Sequence, residues 1–280
     1  MGLRFSFWLH DGAEDTQSWT ASWSSSMAVP TPARLSVLLS SSPEALGHVL
    51  SKWSPFHHSP HLLLSACKEE VTRTHVEQSS DGARAETGVN SGLHIWEVLW
   101  SQEQRGSHAV IGIATKNCPL QVSGYNVLVG RDSQSWGWEL KTNQLWHDGK
   151  SRGFYPRNCY NFRQLTSSDS SFDIPDKVLL VLDADVGILG FIVNGSFLGT
   201  AFEGLPHGVD LFPAVSSVRG GATIRLRYLN GARREPPTLM ALCRLSICQN
   251  LKEEQTDKLP LPPRLQHYLS SSWQETEKNS

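Results

Sequence analysis

The sequence predicts a mostly β protein, an antiparallel β-sandwich followed by a small α-helical unit. From about residue 62 to residue 230, short apolar or alternating runs are separated by Gly, Asn and Asp, and no helical periodicity intervenes. Strands of this length and spacing are typical of an all-β sandwich or barrel. Beyond residue 235 the pattern changes to apolar residues at helical spacing. Two regions of different class therefore follow each other along the chain.

Before the sandwich, residues 1–31 have no clear period, and we expect a disordered tail. A short helical extension is predicted over residues 32–61, because the apolar residues of Arg34–Leu39 and Val49–Leu50 suggest one or two helical turns. The polar residues 271–280 are expected to be disordered as well.

Eight segments carry the strand pattern: Leu93–Trp100, His108–Thr115, Ser135–Leu140, Lys177–Leu182, Ile188–Val193, Ser196–Phe202, Leu211–Val218 and Ala222–Leu229. Asn194-Gly195 supplies the two positive-φ residues of a type I′ turn, which predicts a three-strand meander over Lys177–Phe202. In Thr223–Tyr228 alternation is strict, so Ile224, Leu226 and Tyr228 should face inward, with the intervening arginines in solvent.

The C-terminal unit begins where Glu235-Pro236-Pro237 ends the last strand. Thr238 can cap a helix from Leu239 to about Leu251, in which Leu239, Cys243 and Ile247 form one stripe flanked by Leu242. About 40 residues bury little core by themselves, so this stripe must cover the β domain, a partner, or both.

Charge and composition exclude several functions. The 280 residues have 25 Lys+Arg against 27 Asp+Glu, a net charge of −2, which argues against a dedicated nucleic-acid or acidic-membrane binder. The longest apolar run, Val178–Leu182, is far short of a membrane span. Five scattered cysteines without a CxxC pair indicate reduced thiols. We expect a cytoplasmic protein.

The sequence offers no assembled chemistry, so we predict a non-enzymatic protein without cofactor or metal. It contains no phosphate-binding, zinc-protease or nucleophile-elbow motif. Asp183 and Asp185 fall in a predicted turn, where Asp is ordinary. His57, His58 and His61 with Cys67 match no common ligand spacing, and a surface loop is the better interpretation.

Three features leave alternatives open. Trp136-Gly137-Trp138 fits either core packing or a carbohydrate or peptide groove. The polar run Arg73–Asp81 and the run Val218–Gly221 are either binding loops at the edge of the sandwich or simple connectors.

Particular residues carry a family resemblance. Five segments are similar to the SPRY domain: Gln78–Gly82, Gly92–Glu97, Arg105–Val110, Gln134–Trp138 and Leu145–Lys150. Thr238–Ile247 resembles the Elongin-binding box, and Leu259–Pro262 with Leu265, Tyr268 and Leu269 resembles the box that selects Cullin-5. From about Arg34 to Leu269 the chain resembles SPRY domain-containing SOCS box proteins, more narrowly those that bind inducible nitric oxide synthase. The resemblance implies a SPRY sandwich over 62–232 and a SOCS box over 235–270.

The implied function is a substrate-recognition adaptor of an Elongin B/C–Cullin-5 RING E3 ubiquitin ligase, which brings targets to ubiquitination and proteasomal degradation. The resemblance assigns Elongin binding to Leu239, Leu242, Cys243 and Ile247, and cullin binding to Leu259, Pro260, Leu261 and Pro262. It implies a substrate with an Asp/Asn-rich peptide, as in inducible nitric oxide synthase. That peptide would lie on Arg73, Gln78, Ser79, Ser107, Tyr125, Val218, Arg219 and Gly220.

Four positions depart from the family pattern. His75 stands where the family has Pro, Glu77 where Ala is usual, Arg219 where Trp is expected, and Thr256 where an apolar residue opens the cullin box. The alternative hypothesis is a peptide- or glycan-binding sandwich without a ligase role, whose C-terminal helix docks on its own β domain.

Overall fold

The computed structural model describes five stretches of the chain: residues 29–41, 47–157, 174–232, 260–262 and 265–266. The chain divides into two compact units, Met1–Arg234 and Glu235–Ser280. Of the tails predicted to be disordered, 1–31 and 271–280, residues 1–28 and 271–280 lie outside the described residues and their disorder stays a prediction. Residues 29–31 are described, and the amide of Val29 donates to the Phe197 carbonyl at 2.9 Å.

Within the described residues, the first unit contains two short helices and fifteen strands. In chain order they are α1 (Ala33–Ser40), α2 (Gly47–Leu50), β1 (Trp53–His58), β2 (Leu62–Leu64), β3 (Glu70–Arg73), β4 (Ser79–Ala85), β5 (Leu93–Leu99), β6 (Val110–Ala114), β7 (Gln121–Ser123), β8 (Ser135–Glu139), β9 (Gln144–His147), β10 (Lys150–Phe154), β11 (Lys177–Asp183), β12 (Ile188–Val193), β13 (Ser196–Glu203), β14 (Phe212–Ser217) and β15 (Thr223–Ala232). A 3₁₀ turn, Gln102–Gln104, lies between β5 and β6.

The strands form two antiparallel sheets. The first has the order β1-β4-β14-β6-β8-β9-β10, and β7 pairs additionally with the beginning of β4. The second has the order β13-β12-β11-β5-β15-β3-β2. The main apolar cluster draws on strands of both sheets. This confirms the predicted sandwich.

All eight strands predicted from the alternation are present, and β11, β12 and β13 form the predicted meander. Asn194 and Gly195 have φ of 50° and 74°, as the tight turn between β12 and β13 requires. The alternation of β15 is also confirmed, because Ile224, Leu226 and Tyr228 are buried while the arginines between them are exposed.

The N-terminal extension differs from the prediction beyond Leu50. Helices α1 and α2 lie within residues 32–61, but Trp53–His58 is the edge strand β1, paired with β4. Trp53 is fully buried, so this segment belongs to the sandwich. Pro55 is compatible with a strand only at a sheet edge or bulge, and β1 has both.

Tryptophans fill much of the space between the sheets. Trp53, Trp96, Trp100 and Trp138 are fully buried, and Trp136 is 7% exposed. The interpretation of Trp136-Gly137-Trp138 as core is therefore confirmed, and the groove interpretation is wrong for these two rings.

Helix α1 packs on the outer face of the second sheet. We call this contact between α1 and the sheet the helix seam. Leu35 and Leu38 are buried there in a cluster with Ile95, Val181, Ile192 and Phe197. At the same place the Arg34 guanidinium lies 3.3 Å from both Asp183 and Asp185 and donates to the Ala232 carbonyl at 2.8 Å. The two aspartates in the predicted turn thus hold a helix in place.

In the part of the chain that the structure describes, no helix has the length and apolar character needed to cross a membrane.

Candidate functional site

Four loops at the strand ends form one continuous surface. They are residues 74–78 between β3 and β4, residues 105–109 before β6, residues 124–127 after β7, and residues 218–222 between β14 and β15. We call these residues the loop surface. Backbone and side-chain contacts join each loop to the next.

The loop 218–222 touches two of the others. A Cβ added to Gly220 would lie 2.8 Å from Cγ and 2.9 Å from Cα of His75, so only glycine permits this close approach. The amide of Gly221 donates to the Arg73 carbonyl at 2.8 Å. On the other side, the stem of Arg219 runs along Gly106, next to Ser107.

The loop 124–127 joins the surface through β4. The amide of Gly124 donates to the Gln78 carbonyl at 2.8 Å. Ser80 Oγ lies 2.8 and 2.9 Å from the carbonyl oxygens of Gly124 and Asn126, which share its one hydroxyl proton, and it accepts from the Asn126 amide at 2.8 Å. Tyr125 is held between these contacts with its side chain 46% exposed.

The eight residues assigned to peptide binding all come together here, but with different accessibility. Gln78, Tyr125 and Arg219 are exposed, while Ser107 and Gly220 are half-buried. Arg73, Ser79 and Val218 are buried, at 1%, 5% and 8% exposure. Only the first five offer surface to a bound molecule.

Arg73 supports the loop surface from below. Its Nε lies 2.8 Å from Asp81 Oδ2, and its Nη2 donates to the carbonyls of Val76 and Ser79 at 2.8 and 2.9 Å. A weaker contact of 3.3 Å reaches the Thr74 carbonyl. One guanidinium therefore fixes the course of the loop 74–78 through backbone acceptors.

Asp81 is the buried carboxylate that completes this network. It accepts hydrogen bonds from Ser59 Oγ at 2.6 Å and Ser79 Oγ at 2.9 Å, besides the Arg73 contact. Burial by itself would raise the pKa of Asp81, but the two hydroxyls and the adjacent guanidinium outweigh it and lower the pKa. The carboxylate stays ionised at neutral pH.

His61 is a member of this network that spacing alone did not reveal. Its Nδ1 lies 3.0 Å from Asp81 Oδ1, and its carbonyl accepts from the amide and hydroxyl of Thr74 at 2.9 and 3.0 Å. The predicted surface loop is wrong for His57 and His58, which lie on strand β1, whereas His61 lies between β1 and β2 and supports the loop surface. The sequence feature that could have indicated this network is the spacing of Ser79 and Asp81. They stand two residues apart in a segment that is a buried strand in the structure, so both side chains lie on the same face.

The Ser, His and Asp side chains of this network do not form a hydrolytic relay. Ser79 Oγ approaches the same ring nitrogen of His61, Nδ1, that faces Asp81. A relay needs the serine on one ring nitrogen and the carboxylate on the other. Among the described residues, no group of three or more His, Cys, Asp or Glu side chains forms a metal site.

Most of the predicted Elongin and cullin contacts fall outside the described residues. These are Leu239, Leu242, Cys243, Ile247 and Leu259, and Thr256, which departs from the family pattern, lies outside them as well. Of the cullin-box residues that are described, Pro260, Pro262 and Leu265 are exposed and Leu261 is half-buried. The Pro262 carbonyl accepts from the amides of Leu265 and Gln266 at 2.9 and 3.1 Å, so a helical turn begins after the prolines.

Comparisons with known proteins identify both units. The SPRY domain model matches residues 93–228, and the SOCS box model matches residues 235–270. This architecture is typical of substrate adaptors for Cullin-5 ubiquitin ligases. Strands β1 to β4 precede the matched SPRY residues, although they belong to the same two sheets.

Curated relatives share most of the chain. SPRY domain-containing SOCS box protein 1 from Homo sapiens is 41% identical over 243 residues, which cover 85% of this chain and 87% of the relative. SPRY domain-containing SOCS box protein 2 from Homo sapiens is 40% identical, covering 85% and 89%. Protein gustavus from Drosophila melanogaster is 40% identical, covering 85% of both chains. The chain belongs to the SPRY domain-containing SOCS box protein family.

Proposed function

We propose that this chain is the substrate-recognition subunit of an Elongin B/C–Cullin-5 RING E3 ubiquitin ligase. The observation that carries the proposal is the succession of a SPRY domain and a SOCS box in one chain, with similarity to a family member over 85% of the chain. The sandwich would select the target, and the SOCS box would connect it to the ligase.

The loop surface is the proposed substrate site. Its accessible residues supply different chemical groups within one patch: the amide of Gln78, the hydroxyl of Ser107, the ring and hydroxyl of Tyr125, the cation of Arg219 and the backbone of Gly220. Such a mixture suits a short extended peptide, whose backbone and side chains both need partners. The loops are fixed before binding, so less conformational entropy is lost when the peptide binds.

The target is proposed to carry a short Asp/Asn-rich motif, as the family resemblance implies, with inducible nitric oxide synthase as one candidate. Arg219 supports this because an exposed guanidinium on the loop surface favours a carboxylate. His75 and Glu77 change the surface that such a peptide would meet.

In the SOCS box, Leu239, Leu242, Cys243 and Ile247 are proposed to insert into Elongin C. A fully buried aliphatic side chain contributes on the order of 1.5–3 kcal/mol, and Cys243 would act as a small buried hydrophobe. A helix stripe of this kind suits a hydrophobic groove.

Leu259, Pro260, Leu261 and Pro262 are proposed to contact Cullin-5. The prolines restrict the backbone before binding, which reduces the entropy that an interface must offset. Exposure of Pro260 and Pro262 supports this assignment.

Ubiquitin transfer belongs to the other subunits in this proposal. The chain itself would raise the effective concentration of a target near the ligase, which needs no new chemical contact. The geometry around His61 and Asp81 supports such a non-catalytic role, because no nucleophile and base are aligned there.

Co-expression with Elongin B and Elongin C, followed by size-exclusion chromatography, tests the proposal. We expect a stable ternary complex for the wild-type chain and its loss in the double variant Leu239→Asp/Cys243→Asp. The matched control is Leu63→Asp/Val186→Asp, which places the same charges on two side chains of the sandwich that are 60% and 42% exposed.

Two results would overturn the ligase role. Either the wild-type chain elutes alone while folded, or the SOCS-box double variant retains both Elongins as the control does. A folded chain without Elongins would favour the binding sandwich without a ligase role.

A further inference from the structure

Two side chains of opposite charge on the loop surface are exposed and lack ion-pair partners among the described residues: Glu77 and Arg219. The exposed arginines of β15 behave differently. Arg225 lies 2.9 Å from Glu69, and Arg227 lies 2.9 Å from Glu97. Arg225 and Arg227 are thus paired within the chain, whereas the charges of Glu77 and Arg219 on the loop surface are left for another molecule.

Arg219 is held in place although its charged end is exposed. Its Cβ and Cδ would lie 3.0 and 3.2 Å from a Cβ added to Gly106, so the aliphatic stem lies directly along that glycine. Its amide donates to Ser217 Oγ at 3.2 Å. A stem fixed in this way loses less rotamer freedom when the guanidinium binds an anion.

The two charges lie close enough for one short peptide to reach both. Gly220 meets the backbone of His75 directly, and Glu77 follows two residues later. With consecutive Cα atoms 3.8 Å apart, the Cα atoms of Arg219 and Glu77 are separated by at most about 16 Å. An extended peptide covers that distance in about five residues.

We infer that the loop surface binds a peptide of mixed charge, with a carboxylate side chain on Arg219 and a cationic side chain on Glu77, no more than about five residues apart. This inference rests on the proposed function, in which the loop surface is the substrate site. It adds a requirement for a cation to the proposed target motif.

Repulsion is as important as attraction for this selectivity. A uniformly acidic peptide that reaches Arg219 also brings negative charge to Glu77, and a uniformly basic one brings positive charge to Arg219. Only a peptide that places a negative charge at Arg219 and a positive charge at Glu77 avoids repulsion at both residues. His75 lies between the two charges, against Gly220.

Selection from a phage-displayed library of random dodecapeptides tests the inference on the full-length chain. We expect the wild-type chain to enrich peptides with Asp or Glu and Lys or Arg within five residues of each other. Arg219→Glu should remove the acidic enrichment, and Glu77→Lys should remove the basic enrichment. Each change should weaken a selected wild-type peptide about fivefold or more.

The double variant Arg219→Glu/Glu77→Lys gives the sharpest result, because it should enrich peptides in which the order of the charges is reversed. The matched controls are Arg152→Glu on β10 and Glu203→Lys on β13, both exposed and outside the loop surface. They should enrich the same peptides as the wild type. Far-ultraviolet circular dichroism and thermal midpoints confirm that each variant is folded.

Peptides enriched equally by the wild type and both single variants would overturn the inference, and so would an acidic motif without any basic enrichment. If the folded wild type enriches no peptide at all, the proposed peptide site fails together with the inference. Elongin co-purification reports separately on the ligase role, so the failures are distinguishable.

Discussion

Ion pairs between arginine and aspartate stabilise both the loop surface and the helix seam, but the pairs at the two places differ greatly in burial. Side chains of Arg73 and Asp81 are 1% and 0% exposed. Arg34 is 33% exposed, and its partners Asp183 and Asp185 are 18% and 14% exposed. The buried pair is therefore an inseparable part of the fold, whereas the partly exposed pairs orient a helix that apolar contacts already hold.

The largest effect is expected from Arg73→Met, which leaves the buried carboxylate of Asp81 without its guanidinium partner. Such a change typically costs about 3–5 kcal/mol. Urea unfolding of the full-length chain, followed by tryptophan fluorescence, measures the loss. The control is Arg84→Met, because Arg84 is also buried but donates to the Thr115 carbonyl and lies over the Phe212 ring.

If Arg73→Met does not fold, the double variant Arg73→Met/Asp81→Leu keeps the prediction testable. Removing both charges should recover part of the stability, because the desolvation cost of the carboxylate disappears with it. An Arg73→Met variant as stable as Arg84→Met would contradict the importance of the buried pair.

The next largest effect is expected at the helix seam from Leu38→Ala. Leu38 is 6% exposed, and its loss should lower the free energy of unfolding by about 2–3 kcal/mol. Val37→Ala on the same helix is the control, because Val37 is 67% exposed and should change stability by less than about 0.5 kcal/mol. Equal effects at the two positions would show that α1 does not depend on its buried face.

A smaller loss, at most about 1 kcal/mol, is expected for Arg34→Ala because its ion pairs are partly solvated. The difference from wild type should shrink in high salt, which screens exposed charges more than buried ones. The stability loss of Arg73→Met, measured at the same low and high salt concentrations, should barely change because that ion pair is buried. A salt-independent loss at Arg34 would contradict this distinction.

The smallest effect is a difference in pH dependence. The pKa of Asp81 is lower in the folded state than in the unfolded chain, so the unfolded chain binds more protons at a pH near its own Asp81 pKa. Stability from Asp81 is thus fully present above about pH 4, the unfolded value, and is lost as the pH falls through the folded pKa. The wild type should lose more stability between pH 5 and pH 3 than Asp81→Asn, and parallel curves would contradict this.

Alternation of apolar and polar residues predicted the strands with one apolar and one polar face, such as β15. Unbroken apolar runs predicted the buried strands, such as β11. Strand β4 escaped prediction because its sequence Ser-Ser-Asp-Gly-Ala-Arg-Ala is polar and yet buried at all seven positions. Its polar groups are satisfied by neighbours distant in sequence, including Arg73, Ser59 and Gly124. A local pattern contains no information about such partners.

The family resemblance assigned residues that lie together at the loop surface in the structure, but it could not separate the exposed residues from the buried ones that support them. Arg73 and Tyr125 appear equivalent in the sequence, and the structure buries one and exposes the other. His61 was missed because its role depends on Asp81, twenty residues away. Burial of a polar side chain is a property of the folded neighbourhood, so single-sequence reasoning did not recover it.

The hydrogen bonds from Arg73 to the loop 74–78 have a consequence for protein engineering. Its acceptors there are main-chain carbonyls, which every amino acid possesses. The side chains at His75 and Glu77 can therefore be varied while the loop keeps its course, whereas Gln78, with φ of 53°, accepts a narrower set of residues. With Arg73 and Asp81 retained, this edge of the sandwich offers a scaffold for retargeting recognition toward chosen proteins.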